Sequence, residues 1–596
     1  MRALVRFVPT LALSTALICS AVAPARAAAA APPKVPEAVG YGGAVASVDA
    51  DATAAGIEVL RRGGNAVDAA VATAAALGVT EPYSSGIGGG GYFVYYNART
   101  GRVSTIDGRE TASRRADSSL FLENGKPLAF ADAVTSGLSV GVPGTAATWQ
   151  RALDLWGSRS LGEVLRPAEK IADRGFVVDQ TFQDQTALNQ ARFKDFPATR
   201  RLFLPGGGLP VIGSRLRNPD LAATYRELGS KGVDALYQGD LGADIVRTLQ
   251  HPPVDPASGR VARPGKVDQS DLAAYRVHQQ QPTHTDYRGY DVYSIAPSSS
   301  GGTTVGEALG ILSHSDLAAQ SSTQYYHRFL EASRIAFADR NRWVGDPRFS
   351  QVPTRQLLSP AFAASRACLI SPDHTLTSPL APGDPYHPAA CGSSGPAVTE
   401  TYEGQSTSHL TVADRWGNVV SYTLTIEQTG GSGITVPGRG FLLNNELTDF
   451  SFVPNTPGVP DPNLPGPSKR PRSSISPTIV LHDGKPFFAT GSPGGATIIT
   501  TVLQVLLGRI DRGLSLEQAI AAPRASQRNA TTTAAEPGFL ALPERAALEA
   551  LGQRFGDGGE IGAATGVERL PDGRWIAAAE PVRRGGGSAA VVRPSR

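Results

Sequence analysis

Three hydroxyl residues stand in a row, Ser406, Thr407 and Ser408, inside the stretch G-Q-S-T-S-H-L-T-V at 404–412. The stretch reads as the mouth of a strand. Ahead of it, residues 371–406 are rich in Pro, Gly and Ser and show almost no apolar periodicity, which predicts a floppy approach. A hydroxyl at the first residue of a strand, behind such an approach, suits a chain that is cut just before that hydroxyl. The Thr407 Oγ can attack the Ser406 carbonyl and carry the acyl group onto oxygen. Water then releases a new N-terminal threonine. Its α-amine, with an ordinary pKa of roughly 7.7–8.0, is a general base beside its own hydroxyl, so no histidine is required. The plain alternative is a strand threonine with no chemistry.

His409 next to Ser408 suggests a serine–histidine pair, but successive strand residues point to opposite faces. Thr407 and His409 share a face, yet side chains two apart on a strand stand roughly 6–7 Å apart. Two glycine-rich loops raise other chemistry. Gly86-Ile87-Gly88-Gly89-Gly90-Gly91 has the dinucleotide spacing, but a helix precedes it and a strand follows, the reverse of what that motif needs. It reads instead as a tight passage of backbone between packed elements. Gly491-Ser492-Pro493-Gly494-Gly495 joins a strand to a helix. The Gly494 and Gly495 N–H groups therefore lie near a helix N-terminus, where donors lack intrahelical partners. Either an oxyanion site for acyl chemistry or simple turn geometry fits. No H-E-x-x-H or paired C-x-x-C occurs, and the sequence predicts no metal site.

The elements that must position these residues are legible in outline. A helix over 51–61 ends at Gly63-Gly64, and Asn65 caps an alanine-rich helix over 66–77. Strands at 92–96 and 102–106 flank a turn near Thr100-Gly101 and lead to Asp107-Gly108-Arg109. The middle of the chain, about 145–250 and 303–342, reads as mostly helical. S-H-L-T-V-A-D and N-V-V-S-Y-T-L-T alternate apolar and polar around Arg415-Trp416-Gly417, a hairpin that sets Thr407 opposite Thr425. A second hairpin turns at Asp483-Gly484 and runs into the 491–495 loop and a helix. Helices laid on hairpins in this order indicate layered sheets of an α+β fold, not a doubly wound parallel sheet.

The chain has 596 residues, 41% hydrophobic and 18% charged, an ordinary globular composition. Residues 1–27 read as a signal peptide: Arg2 and Arg6, then an apolar run over 7–22, then Ala25-Arg26-Ala27 as a cleavage site. The run is short for a membrane span, with a retained anchor as the alternative. The mature chain loses three arginines and no acids, leaving 53 residues of each sign, so it has no basic footprint for nucleic acid or an anionic membrane. A secreted or periplasmic location follows. Of three cysteines, Cys19 leaves with the leader. Cys368 and Cys391 remain as an even pair for one disulfide, or as two thiols.

Several long blocks together resemble the γ-glutamyltranspeptidase family: T-S-H-L-T-V-A-D-R-W-G-N, T-L-T-I-E-Q, G-F-L-L-N-N-E-L-T-D-F, K-R-P-R-S-S-I-S-P-T-I-V and T-G-S-P-G-G, preceded by G-G-N-A-V-D-A-A-V-A, G-I-G-G-G-G-Y, D-G-R-E and P-S-S-S-G-G. They cover nearly the whole mature chain in order. The resemblance implies an N-terminal-nucleophile hydrolase fold, a four-layer α-β-β-α sandwich made from an autocleaved precursor. It implies a large subunit over 28–406, ending in the flexible tail 371–406, and a small catalytic subunit over 407–596. By the same resemblance Thr407 is the nucleophile, Thr425 bonds its hydroxyl, and Gly494 and Gly495 form the oxyanion hole. Arg109, Ser473 and Ser474 would hold the α-carboxylate of a γ-glutamyl group. Glu446 and Asp449 would take its α-amino group, with Glu427, where many members have asparagine and some an acid. The substrates implied are glutathione, related γ-glutamyl compounds and acceptor amino acids or peptides, with no cofactor.

One departure stands out. Residues 461–468, D-P-N-L-P-G-P-S, are short where members with a lid carry a longer loop with an aromatic residue, so a more open pocket is expected. Two alternatives remain: an acylase of the same fold acting on glutaryl or cephalosporin-type amides, and an uncleaved binding protein that does no chemistry.

Overall fold

The computed structural model describes residues 4–5, 31–398, 404 and 406–595. The expected leader falls outside them apart from Leu4 and Val5, as do residues 399–403 and 405 of the approach.

The chain opens with β1 (Glu37–Ser47), α1 (Ala50–Arg61) and α2 (Ala66–Thr80). Asn65 caps α2 in a reciprocal box with Asp68, and every residue of α2 is buried. Its alanines let the helix lie close against its neighbours. Then come β2 (Gly90–Asn97), β3 (Arg102–Gly108), α3 (Leu161–Arg174), β4 (His278–Gln280), β5 (Thr283–Tyr287), β6 (Tyr290–Ser294), α4 (Gly301–Leu312) and α5 (Ser322–Trp343). After the approach follow β7 (Ser408–Asp414), β8 (Val419–Thr425), β9 (Thr478–His482), β10 (Lys485–Gly491), α6 (Thr497–Ile510), β11 (Thr565–Arg569), β12 (Trp575–Ala579) and β13 (Ser588–Pro594). The β9–β10 turn has positive φ at both Asp483 and Gly484, as a two-residue hairpin requires.

These strands join in one 13-stranded path, β4-β3-β2-β8-β7-β1-β12-β11-β10-β9-β6-β5, with β13 along β1. The path doubles back on itself. Ala44, Val94, Ala413 and Val419 from one half pack on Ile479, Ala489, Val567 and Ala577 from the other, and Ser421 Oγ crosses to the Thr490 carbonyl at 3.1 Å. Outside the first half, α1, α2 and α3 cover Leu410, Val412, Tyr422 and Leu424. Outside the second, α4, α5 and α6 cover Val480, Phe488 and Ala578. The layers are thus helix, sheet, sheet, helix. β1 makes the join: Glu37–Gly40 ladder with β12, and Gly43–Ala46 with β7. Between them Gly42 and Gly43 take φ of 87° and 128°, a bend that a side chain at either position would resist.

The approach is less loose than its composition predicts. The Thr375 N–H donates to the Leu551 carbonyl at 2.7 Å, Leu376 N–H to Glu331 at 2.8 Å and Leu380 N–H to Asn529 at 2.6 Å. Trp343 Nε1 donates to the Gly383 carbonyl at 3.0 Å. A disulfide joins Cys368 to Cys391, with Cα atoms 5.4 Å apart. Backbone polar groups bonded to the body, with Leu376 and Leu380 packed against the core, hold a segment with no periodicity in place over 375–391.

Candidate active site

Ser408 lies opposite Leu424 in the β7–β8 ladder, and one more step sets Thr407 beside Thr425. Their hydroxyls are 3.3 Å apart. Both donate to the Ser406 carbonyl, Thr407 Oγ1 at 2.7 Å and Thr425 Oγ1 at 3.0 Å, while Thr425 Oγ1 accepts the Glu427 N–H at 2.8 Å. The uncut 406–407 peptide therefore has its carbonyl against the hydroxyl that follows it. The glycine passage before β2 fixes this corner. A Cβ on Gly89 would stand 2.0 Å from the Thr425 carbonyl oxygen, and one on Gly88 2.0 Å from that of Leu442. The dinucleotide spacing at 86–91 is thus close packing.

Thr407, Thr425, Glu427, Gly495, Ser473 and Ser474 line one crevice of about 20 Å³, together with Arg109, Glu446, Asp449 and Gly404. That is room for little more than a water. In the uncut chain this crevice is nearly filled. Arg109, fully buried at the end of β3, folds onto both Glu446 and Asp449, and Gly404 donates its N–H to Glu427. Arg109 also donates to the Arg472 carbonyl at 3.1 Å. Asn444 sets the Glu446–Asp449 turn: its Oδ1 accepts the Glu446 N–H and the Gly141 N–H, both at 3.0 Å. Burial, and then the charge of Glu446, push the Glu427 carboxyl up to about 8. Burial, and then the charge of Glu446, also raise the Glu110 carboxyl well above its ordinary value.

Gly494 and Ser406 line an adjoining cavity of about 700 Å³. Gly494 and Gly495 have φ of 135° and 57° and lead into α6. Among the described residues no acceptor takes either N–H. His409 is buried with Nδ1 on Thr423 Oγ1 at 2.7 Å, and burial lowers it to about 3, so it stays neutral and away from Ser408. Among the described residues no cluster of His, Cys, Asp and Glu could hold a metal ion, and no helix is long and apolar enough to cross a membrane.

Sequence reasoning missed the groups that brace these residues. Arg340 on α5 donates to Ser474 Oγ at 2.7 Å and Ser300 Oγ at 2.9 Å, and the Ser300 N–H donates to the Ser473 carbonyl at 2.7 Å. The P-S-S-S-G-G block is thereby the seat of Ser473-Ser474. Asn445 donates to Glu427 and accepts the Gln428 N–H at 2.9 Å. Arg584 donates to the Thr407 carbonyl at 2.7 Å across 177 residues of sequence. Asn445 and Ser300 carried a signal, their places in the N-N-E-L-T-D-F and P-S-S-S-G-G blocks; Arg340 and Arg584 carried none.

A threonine at the head of a strand, in a helix-sheet-sheet-helix sandwich, marks the N-terminal-nucleophile hydrolases. A cephalosporin acylase from Bacillus halodurans has this architecture: its structure superposes with a TM-score of 0.80 at 27% identity, covering 96% of this chain and 100% of that one. The chain belongs to the γ-glutamyltranspeptidase family, whose pattern residues 52–590 match. It is 39% identical to the glutathione hydrolase proenzyme of Bacillus subtilis over 91% of each chain. It is 37% identical to that of Escherichia coli over 93% of this chain and 94% of the other.

Proposed function

We propose that this protein is a γ-glutamyltransferase and glutathione hydrolase that matures by its own scission between Ser406 and Thr407. The observation that carries this reading is the 406–407 peptide, whose carbonyl touches the Thr407 and Thr425 hydroxyls. Attack by Thr407 Oγ1 on the Ser406 carbonyl gives an ester, and water frees pieces 28–406 and 407–596. The exposed α-amine of Thr407 then takes the hydroxyl proton as Oγ1 attacks the γ-amide of glutathione. The amine leaves, and a γ-glutamyl ester remains until water or an acceptor amine removes it. The Gly494 and Gly495 N–H groups hold the oxyanion at each step. No cofactor enters. The leader sends the protein out of the cytoplasm, to the periplasm or beyond.

Arg109 with Glu446 and Asp449 is a receptor for a zwitterion. When an α-amino acid enters, its carboxylate takes Arg109, with Ser473 and Ser474, and its ammonium takes the two acids, with Glu427. A glutaryl group brings a carboxylate alone. It would compete with Glu446 and Asp449 for Arg109 and bring no ammonium for the two acids in exchange, which is costly. That argument sets the γ-glutamyl reading above an acylase reading, despite the likeness to a cephalosporin acylase. N-terminal sequencing of the small piece is expected to begin at Thr407, and Thr407→Ala is expected to give a single uncut chain without activity. Faster cleavage of glutaryl-anilide than of γ-glutamyl-anilide would overturn the substrate class.

A further inference from the structure

Arg584 stands in an unusual place. It lies in the R-R-G-G-G turn between β12 and β13, with φ of 55°, a left-handed conformation that side chains disfavour. The turn is held from two sides, by Glu560 and by Thr181. The Arg584 N–H donates to Glu560 at 2.8 Å, its carbonyl accepts Thr181 Oγ1 at 3.2 Å, and a Cβ on Gly585 would meet that same Thr181 oxygen at 2.1 Å. Fixed this way, the guanidinium meets the Thr407 flank of the 406–407 bond directly and the Ser406 flank through Ser84. Nη1 donates to the Thr407 carbonyl at 2.7 Å. Nη2 donates to Ser84 Oγ at 2.8 Å, and Ser84 Oγ is 2.8 Å from Ser406 Oγ. Glu81, at the end of α2, braces the same Nη2 at 3.3 Å.

We propose that Arg584, braced by Glu81, is a positioning residue for the nucleophile: it grips both sides of the 406–407 bond before the cut and sets a fixed positive charge beside the Thr407 amine after it. The inference rests on the scission proposed above, but it assigns work to two residues which that reading leaves idle. A cation near an amine favours the amine's neutral form, which is the form that acts as a base. Glu81 opposes this by screening the guanidinium. The balance depends on what surrounds Glu81: Arg584 and Lys34 on the cationic side, Asp49 and Asp179 on the anionic side, with Glu560 behind Arg584. Burial outweighs the cations and lifts the Glu81 carboxyl to about 7, so its charge changes in the range where the amine must work.

The test is the acid limb of kcat/KM against pH, read on γ-glutamyl-p-nitroanilide with the cut enzyme. Glu81→Gln leaves Arg584 unscreened and is expected to move the limb to lower pH, by roughly half a unit to one unit. Arg584→Gln removes the cation and is expected to move it to higher pH by a similar amount and to slow scission. Arg584→Lys keeps the charge and is expected to hold the limb in place. Variants that stay uncut are read as co-expressed pieces 28–406 and 407–596, which need no scission. Opposed shifts cannot come from general loosening of the site, which would move both variants alike or neither. Unmoved limbs, or limbs that move the same way in Glu81→Gln and Arg584→Gln, overturn the assignment. Failure of the underlying function would look different, because the parent protein itself would then leave γ-glutamyl-p-nitroanilide intact.

Discussion

Glu427 is strained and desolvated at once. Its φ of 78° puts a non-glycine residue in the left-handed region, which costs about 1 kcal/mol or more. Its carboxyl is raised to about 8, by burial first and Glu446 second, with Asn445 and the Gly404 N–H pulling it back. A carboxyl whose folded pKa lies above its unfolded value of roughly 4.3 favours the fold fully only below that value, and the benefit drains away as pH rises through about 8. In the uncut Thr407→Ala background, Glu427→Gln is therefore expected to flatten the fall in melting temperature between pH 5 and pH 9. Parallel melting curves for the two proteins would contradict this. Thr425 makes a second residue-scale case. Thr425→Val removes one of two donors to the Ser406 carbonyl and should slow scission on the order of 10²-fold, whereas Thr425→Ser keeps the donor. A time course of band splitting on denaturing gels separates the two.

At the scale of elements, the corner that presents Thr407 is made by backbone contact. Gly89 admits no side chain because the Thr425 carbonyl lies where its Cβ would be. Gly89→Ala must push the end of β8 away from β2 and so shift Thr425 relative to Thr407, and it is expected to leave most of the protein uncut while the helix content by circular dichroism stays unchanged. Efficient cutting by that variant would mean the corner has slack. This contact was half legible in sequence. The run of glycines announced a tight passage but not its partner. The β7–β8 register was legible because period-two alternation around a short turn fixes which residues face each other. So were the Asp483-Gly484 turn and the Asn65 cap, both set by local chemistry. Arg584 was not, because nothing local relates a turn before the last strand to a residue 177 positions earlier. The hold on the approach was hidden for a similar reason: its partners Glu331, Asn529 and Leu551 come from distant segments, and its own composition carries no apolar code.

For the whole molecule, the order of strands decides what scission does. β1 to β6 precede residue 407 and β7 to β13 follow it, yet in the sheet they alternate: β2 pairs with β8, β7 with β1, β1 with β12 and β13, and β9 with β6. Separating the two pieces would break all five of these ladders and open the core between the sheets. Scission removes one covalent bond and none of that packing. The Cys368–Cys391 bridge lies wholly within the first piece, so it links nothing across the cut. The cut protein is accordingly expected to elute from a sizing column at the position of the uncut Thr407→Ala protein. On denaturing gels it should run as two bands whether or not reductant is present. A small piece that elutes alone without denaturant would show that the interleaved sheet does not hold the pieces together. A single band without reductant would show that a disulfide, and not the sheet, does so.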